Sequence, residues 1–166
     1  MTDEPIIDRG IVIRAAKPAD IFVVEPLWLA LYKHQKEHGM LLDLSASSFS
    51  QWAEAMKPAL GRFTCLFIAQ RNAEAIGFLA GNLKTLPPYF GGHLIGFVSE
   101  VFVSDAYRGM QIGHDLIETA LQWFKAQRAH RVELQVVINN SRARKLYSKL
   151  GWTEELVQMV WQWNAT

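Results

Sequence analysis

Phe97-Val98-Ser99-Glu100-Val101-Phe102-Val103, then Ser104-Asp105-Ala106-Tyr107, then Arg108-Gly109-Met110-Gln111-Ile112-Gly113, is the stretch that decides the fold. Its first part is dense in Val and Phe and ends at a Ser-Asp turn signal, so it reads as a strand. Around and after Gly113, the residues Ile112, Leu116, Ile117, Ala120, Leu121 and Phe124 fall on one face at helical spacing. The stretch is therefore strand, short turn, helix, with small residues and a basic residue at the helix entrance. Such an entrance leaves backbone N–H groups unpaired and carries a partial positive charge. It suits a phosphate or pyrophosphate.

Working outward, the N-terminal side opens with a loose tail over 1–9 and a strand over Gly10–Arg14. Asp20 can cap the next element, a helical stripe of Ile21, Val24, Leu27, Trp28, Leu31 and Tyr32. Pro26 predicts a short first turn and a main helix restarting near it, ended by Gly39. Ser45 or Ser47 opens a second helix with Phe49, Trp52, Met56 and Leu60 inward. Strands are expected over Phe63–Gln70 and from Ala75 to about Leu83 or Leu86, joined by the polar turn at 71–74. Pro87-Pro88-Tyr89-Phe90-Gly91-Gly92 is a punctuated loop. After the strand ending at Val103, a helix over about 111–129 leads to a strand over Val132–Ile138. Asn140 or Ser141 caps a last helix whose inner face is Ala143, Leu146, Tyr147 and Leu150, with Gly151 as its left-handed stop. Trp152–Trp163 is expected to supply two short aromatic strands. Strands and helices in this order give an α/β domain with a mixed sheet, and the helix over 111–129 makes a parallel crossover.

Bulk properties narrow the function. At 166 residues the chain reads as one domain over 1–166, long enough to bury its own core. The net charge of +1 argues against nucleic acid as a partner. No apolar run is long enough to span a bilayer and the acidic N-terminus is no signal peptide, so the expectation is a cytoplasmic protein with no membrane partner. The single cysteine, Cys65, sits in an apolar run and reads as a buried, inert thiol. His34 and His38 have metal-compatible i,i+4 spacing but no third ligand, so no metal site is expected.

The turn Arg108-Gly109-Met110-Gln111-Ile112-Gly113 resembles motif A of the GCN5-related N-acetyltransferase (GNAT) superfamily: Arg or Gln, two residues, Gly, one residue, then Gly or Ala. Arg108 and Gly113 match, and Gln111 stands where the family usually has Gly. Asn140-Ser141-Arg142-Ala143-Arg144-Lys145-Leu146-Tyr147-Ser148-Lys149-Leu150-Gly151-Trp152 resembles the family's second signature. The two segments span roughly residues 97–152. The resemblance implies the order β-α-α-β-β-β-α-β-α-β-β, a central sheet of about seven strands flanked by about four helices. It implies acetyl-CoA as cofactor and a small-molecule or peptide amine as acceptor, with direct attack in a ternary complex. Homodimerisation is left open. A non-catalytic acyl-CoA-binding sensor or interaction module of the same fold is the alternative. A nicotinamide dehydrogenase is discounted, because the chain lacks G-x-G-x-x-G after an early strand.

On that resemblance the cofactor residues are the backbone of Val101, Phe102 and Val103, the turn Arg108, Gly109, Met110, Gln111, Ile112 and Gly113, and Asn140, Ala143 and Tyr147. Asn140 also reads simply as a helix cap. Tyr147 is a candidate acid for the departing thiolate, and equally a core ring packed on the sheet. Glu100 is a carboxylate flanked by Val and Phe; it either faces water or a basic residue, or serves as a general base with a raised pKa. Trp28, Tyr32, His34, Tyr89 and Phe90 are the candidates for the acceptor pocket.

Overall fold

A computed structural model describes residues 10–163. The tail expected over 1–9 lies outside the described residues. Five strands form one sheet in the order β1-β2-β3-β4-β5: β1 (Ile11–Ala15), β2 (Thr64–Arg71), β3 (Glu74–Thr85), β4 (Leu94–Val103) and β5 (Val132–Leu134). The first four are antiparallel neighbours, and β5 runs parallel to β4. Four α-helices flank the sheet: α1 (Glu25–Glu37), α2 (Ser48–Met56), α3 (Ile112–Ala126) and α4 (Ser141–Lys149). A 3₁₀ turn over Pro18–Val24 precedes α1, so the break expected at Pro26 is present, with the proline in the first turn where its missing N–H costs nothing. Among the described residues, no helix is long and apolar enough to cross a membrane.

Two apolar layers hold the helices on. On one face, Trp28 and Leu31 of α1 and Phe49, Ala53 and Met56 of α2 pack on Leu66, Ile68, Phe78 and Phe102. On the other, Leu116, Ile117, Ala120 and Phe124 of α3 pack with Phe67, Leu79, Val98 and Tyr147. Phe124 is fully buried because the sheet beneath it carries glycine: a Cβ on Gly96 would lie 2.5 Å from its ring, and one on Gly81 2.8 Å.

The expected seven strands are corrected to five. Residues 152–163 form no strand: Gly151 turns the chain out of α4, and no strand pairing or backbone hydrogen bond joins residues 153–163 to the described chain. The fifth strand is also shorter than the expected Val132–Ile138. Its pairing with β4 ends at Val98–Leu134. Just beyond, β4 bulges: Gly81 of β3 faces Val98 and Ala80 faces Glu100, leaving Ser99 as the extra residue. A bulge bends the strand and adds twist, and β5 cannot follow.

Candidate active site

The bulge decides where the carboxylate points. In an unbroken strand Val98 and Glu100 would share a face. With Ser99 inserted, Val98 stays in the α3 layer while Phe102, two residues past Glu100, packs in the α1–α2 layer. Glu100 thus turns toward the first two helices and is only 6 % exposed. Its Oε1 accepts hydrogen bonds from Tyr32 Oη and Trp52 Nε1, both at 3.2 Å, and its Oε2 accepts one from Ser99 Oγ. The surroundings are aromatic: Trp28 lies 4.4 Å from the Tyr32 ring and 5.8 Å from Trp52, centre to centre. Neither bland reading of Glu100 holds, since it meets neither open water nor a basic side chain. Burial raises its pKa, and the three neutral donors only partly offset this. The same burial, with the carboxylate next to it, raises Tyr32.

Where β4 and β5 separate, a cleft opens. Val101, Asn140, Ala143 and Tyr147 line it together with Glu100, and Leu31 and Gln35 of α1 reach it from above. Past Val98 the β5-side backbone of β4 has no strand partner, and apart from the Val103 carbonyl, which accepts from Arg108 Nε, no bond of β5 occupies it. Asn140 Oδ1 accepts from the Ala143 N–H at 3.1 Å, which makes it the cap of α4. Tyr147 is buried on this wall with Trp152 against its ring, centres 5.9 Å apart. Burial pushes its hydroxyl up to about 12, so it keeps its proton at neutral pH.

At the far end of β4 the turn through Arg108 and Gly109 enters α3. Gln111 is the N-cap and adopts the left-handed conformation, φ 63°, with no side-chain cap bond. The first ladder bond of α3 runs from the Asp115 N–H to the Gln111 carbonyl. The amides of Ile112 and Gly113 precede it and have no acceptor in the helix ladder. A Cβ on Gly113 would meet only Leu146 at 3.6 Å and Val103 at 3.9 Å, so close packing does not explain the glycine. Gln111 itself is exposed. The left-handed backbone at this position accounts for the glycine of the resembled pattern. Arg108 is largely committed within the turn: it pairs with Asp105 at 2.6 Å, donates to the Val103 carbonyl at 3.3 Å and lies 5.5 Å from the Phe102 ring centre.

The acceptor-side candidates divide. Trp28 and Tyr32 stand beside Glu100. A cavity of about 210 Å³ lies beside Tyr32, between α1 and the segment carrying Met40, Leu42 and Leu44, with Lys33 and Lys36 also on its wall. His34 turns toward His38 and the edge of Phe102, and burial is the main cause of its lowered pKa. Tyr89 and Phe90 sit apart on the β3–β4 turn, exposed, with their rings on each other. Trp52 is a site residue that sequence reasoning had placed only in the core. Its signal was present, since the α2 stripe that turns Phe49 and Met56 inward turns Trp52 to the same sheet face. Cys65 is buried, and burial pushes its thiol up to about 12, as in an inert core cysteine.

A parallel pair that separates past Val98, followed by a turn into an uncapped helix entrance, is the frame of this mixed α/β fold. The chain matches the Acetyltransferase (GNAT) family over residues 28–152, and it belongs to that family. It is 30% identical over 95 residues to an uncharacterised N-acetyltransferase of Methanocaldococcus jannaschii, covering 57% of this chain and 42% of that one. It is 27% identical over 154 residues to a mycothiol acetyltransferase of Amycolatopsis mediterranei, covering 90% and 48%. The chain thus spans about half the length of the curated relatives it matches. Among solved structures, aminoglycoside N-acetyltransferase AAC(6′)-Iy in complex with CoA has the same fold, with TM-score 0.75, 16% identity and 96% and 100% coverage. So does a tetramutant of the BH1408 protein from Bacillus halodurans, with TM-score 0.75, 23% identity and 92% and 99% coverage.

Proposed function

We propose that the chain is an acetyl-CoA-dependent N-acetyltransferase acting on a primary amine of a small molecule or peptide by direct attack in a ternary complex. The observation that carries this is the placement of Glu100 and Tyr147 on one cleft, with the uncapped entrance of α3 following the end of the strand that carries Glu100. The pyrophosphate suits the amides of Ile112 and Gly113, where free donors and the helix dipole favour an anion. The pantetheine arm suits the unpaired β4 backbone and the wall made by Asn140 and Ala143. Acetyl-CoA supplies the acetyl group as a thioester.

The protein's own groups divide the proton work. An amine is protonated at neutral pH and must lose a proton before it can attack. Glu100, with a raised pKa and an aromatic surround, can accept that proton directly or through water. Its pKa is raised by burial while Tyr32, Trp52 and Ser99 keep the carboxylate usable as an anion. The β4 backbone beyond Val98 offers N–H groups to the acetyl oxygen as it gains charge. Tyr147 is a hydrogen-bond donor for the departing sulfur, and its proton is available as charge develops there. Direct transfer also fits the inert thiol of Cys65. The cavity beside Tyr32, whose hydroxyl donates to Glu100, is the proposed seat of the acceptor's body.

The test is a panel of amines with acetyl-CoA, read by release of free thiol. Amine-dependent release that saturates with acetyl-CoA supports the reading. Saturable acetyl-CoA binding with no release beyond solvent hydrolysis for any amine class would assign the chain to the non-catalytic, acyl-CoA-binding alternative.

A further inference from the structure

The cavity beside Tyr32 carries a charge of its own. Its walls are mostly apolar: Leu29 of α1 on one side, and Met40, Leu42 and Leu44 of the segment between α1 and α2 on the other. Two lysines of α1, Lys33 and Lys36, complete the lining, and they are not equivalent. Lys36 Nζ pairs with Asp43 at 2.8 Å and donates to the Leu41 carbonyl at 3.5 Å. Its charge is neutralised there, and it ties the far wall to the helix. That wall is also held at its root. The Asn139 amide donates to the His38 carbonyl at 3.2 Å, and the Met40 N–H donates to the Gln35 carbonyl at 3.0 Å. Lys33 differs: it is exposed and, among the described residues, its ammonium has no ion-pair or hydrogen-bond partner. Neither Glu37, one helical turn along, nor Asp43 closes on it. The result is a small apolar cavity with one uncompensated positive charge on its wall.

We infer that the acceptor is a small amine with a carboxylate at the other end of a short apolar body, and that this carboxylate sits on Lys33. The inference rests on the proposed transfer to an amine and narrows it to a chemical class. Tyr32 sets the amine end. Its hydroxyl donates to Glu100 at 3.2 Å, so a residue that lines the cavity also touches the proposed base. The leucines and Met40 set the middle, because they favour a hydrocarbon stretch and would leave a polar one without partners. Lys33 sets the far end. It is a point charge on a flexible stem, suited to an anion, and it meets a body with further ammonium groups as like charge. Size points the same way: drug-sized ligands occupy cavities of about 300–1,000 Å³, and at about 210 Å³ this one takes a smaller body. The two ends must also be apart. An α-amino acid would set its carboxylate beside Glu100, one carboxylate against another.

The probes are a homologous series of ω-amino carboxylates, each matched with the alkylamine and the α,ω-diamine of the same chain length, so that only the far group changes. Thiol release with acetyl-CoA gives kcat/KM for each. In wild type at low salt, the carboxylate of best length is expected to exceed both its partners by about five- to tenfold, mainly through KM, and the advantage is expected to shrink as salt rises. Lys33→Gln is expected to bring the carboxylate and the alkylamine within about twofold of each other, and Lys33→Glu to turn the order round in favour of the diamine. Both variants keep a good helix former at an exposed position, so both are expected to fold. Lys125→Gln makes the same change of charge on α3, on the other face of the sheet, and is expected to keep the wild-type order. Calorimetric titration with the same compounds separates this inference from the catalytic reading beneath it. If no amine releases thiol, the catalytic reading fails. Carboxylates that still bind more tightly than their alkylamine partners, and lose that advantage in Lys33→Gln, support the anion site all the same. Alkylamines or diamines used as well as the carboxylates at every length overturn the inference, as does a carboxylate preference that survives Lys33→Glu. The absence of both turnover and binding overturns it too.

Discussion

Glu100→Gln separates the carboxylate's chemistry from its packing. Both Tyr32 and Trp52 donate to one oxygen of Glu100, and an amide oxygen in that place accepts both. The amide nitrogen then faces Ser99 Oγ, which can accept from it and turn its own proton to the Ala80 carbonyl 3.3 Å away. No buried donor is orphaned, so the variant is expected to fold. The three hydrogen bonds lose their charge assistance, about 1 kcal/mol each, while the cost of burying a carboxylate disappears. These effects oppose, and near-neutral stability follows at neutral pH. The sign of the pH dependence is fixed by the raised pKa. Stability attached to a proton held more tightly in the fold is fully present below the unfolded carboxylate's pKa. It is lost as pH rises through the folded one. Wild type should therefore lose ground to the variant as pH rises through that window. Turnover should fall about 10²-fold, equivalent to about 2.7 kcal/mol of barrier, with the KM for acetyl-CoA nearly unchanged. In wild type the acidic limb of kcat/KM should lie above the ordinary carboxylate range, and in the variant it should vanish. Thiol release across a pH series reads both quantities. A variant with wild-type turnover and an unchanged acidic limb would refute the base assignment.

Tyr147→Phe keeps the ring packed and removes the proton donor; it should fold normally, bind acetyl-CoA within a few-fold of wild type, and lose turnover by about 10- to 10³-fold. Wild-type single-turnover rates in that variant would reduce Tyr147 to a packing residue. Gln111→Gly relieves a left-handed backbone at φ 63°, and should raise stability by up to about 1 kcal/mol, or about 2–4 °C in Tm, net of the extra freedom glycine gives the unfolded chain. Because the Gln111 side chain is exposed, acetyl-CoA affinity by calorimetry should change little; a tenfold tightening would mean that the side chain crowds the phosphate cradle after all.

Much of this was legible because it rests on local rules. The β4–turn–α3 unit follows from apolar spacing, and the Asn140 cap from its place ahead of Ala143, Leu146 and Tyr147. The break at Pro26 follows from the missing N–H. What the sequence did not disclose depends on contacts between distant segments. Glu100 in a run of Val and Phe announces a buried acid, but its three donors come from Tyr32, Trp52 and Ser99, and only the bulge aims it at them. The bulge has no sequence mark, as Ser99 is an ordinary strand residue. Arg108 matches a phosphate-binding pattern, yet its guanidinium is held by Asp105 and Val103. Trp152–Trp163 has the composition of strands, and composition cannot say whether the chain provides an edge for them. In the fold the segment pairs with no strand of the described chain.

On the proposed reading the entrance of α3 holds the phosphates of acetyl-CoA, and Gly113→Asp tests this most directly. The substitution is mild for the fold. The new Cβ meets Leu146 and Val103 at ordinary contact distances, and an acidic residue in the first helical turn favours the helix dipole. For an anionic ligand it is severe, because it sets a carboxylate among the amides that would hold the pyrophosphate. Calorimetric titration with acetyl-CoA should show saturable one-to-one binding to wild type and at least tenfold weaker binding to a variant of equal Tm. Equal affinity in the two proteins, or no saturable binding to wild type, would contradict the claim.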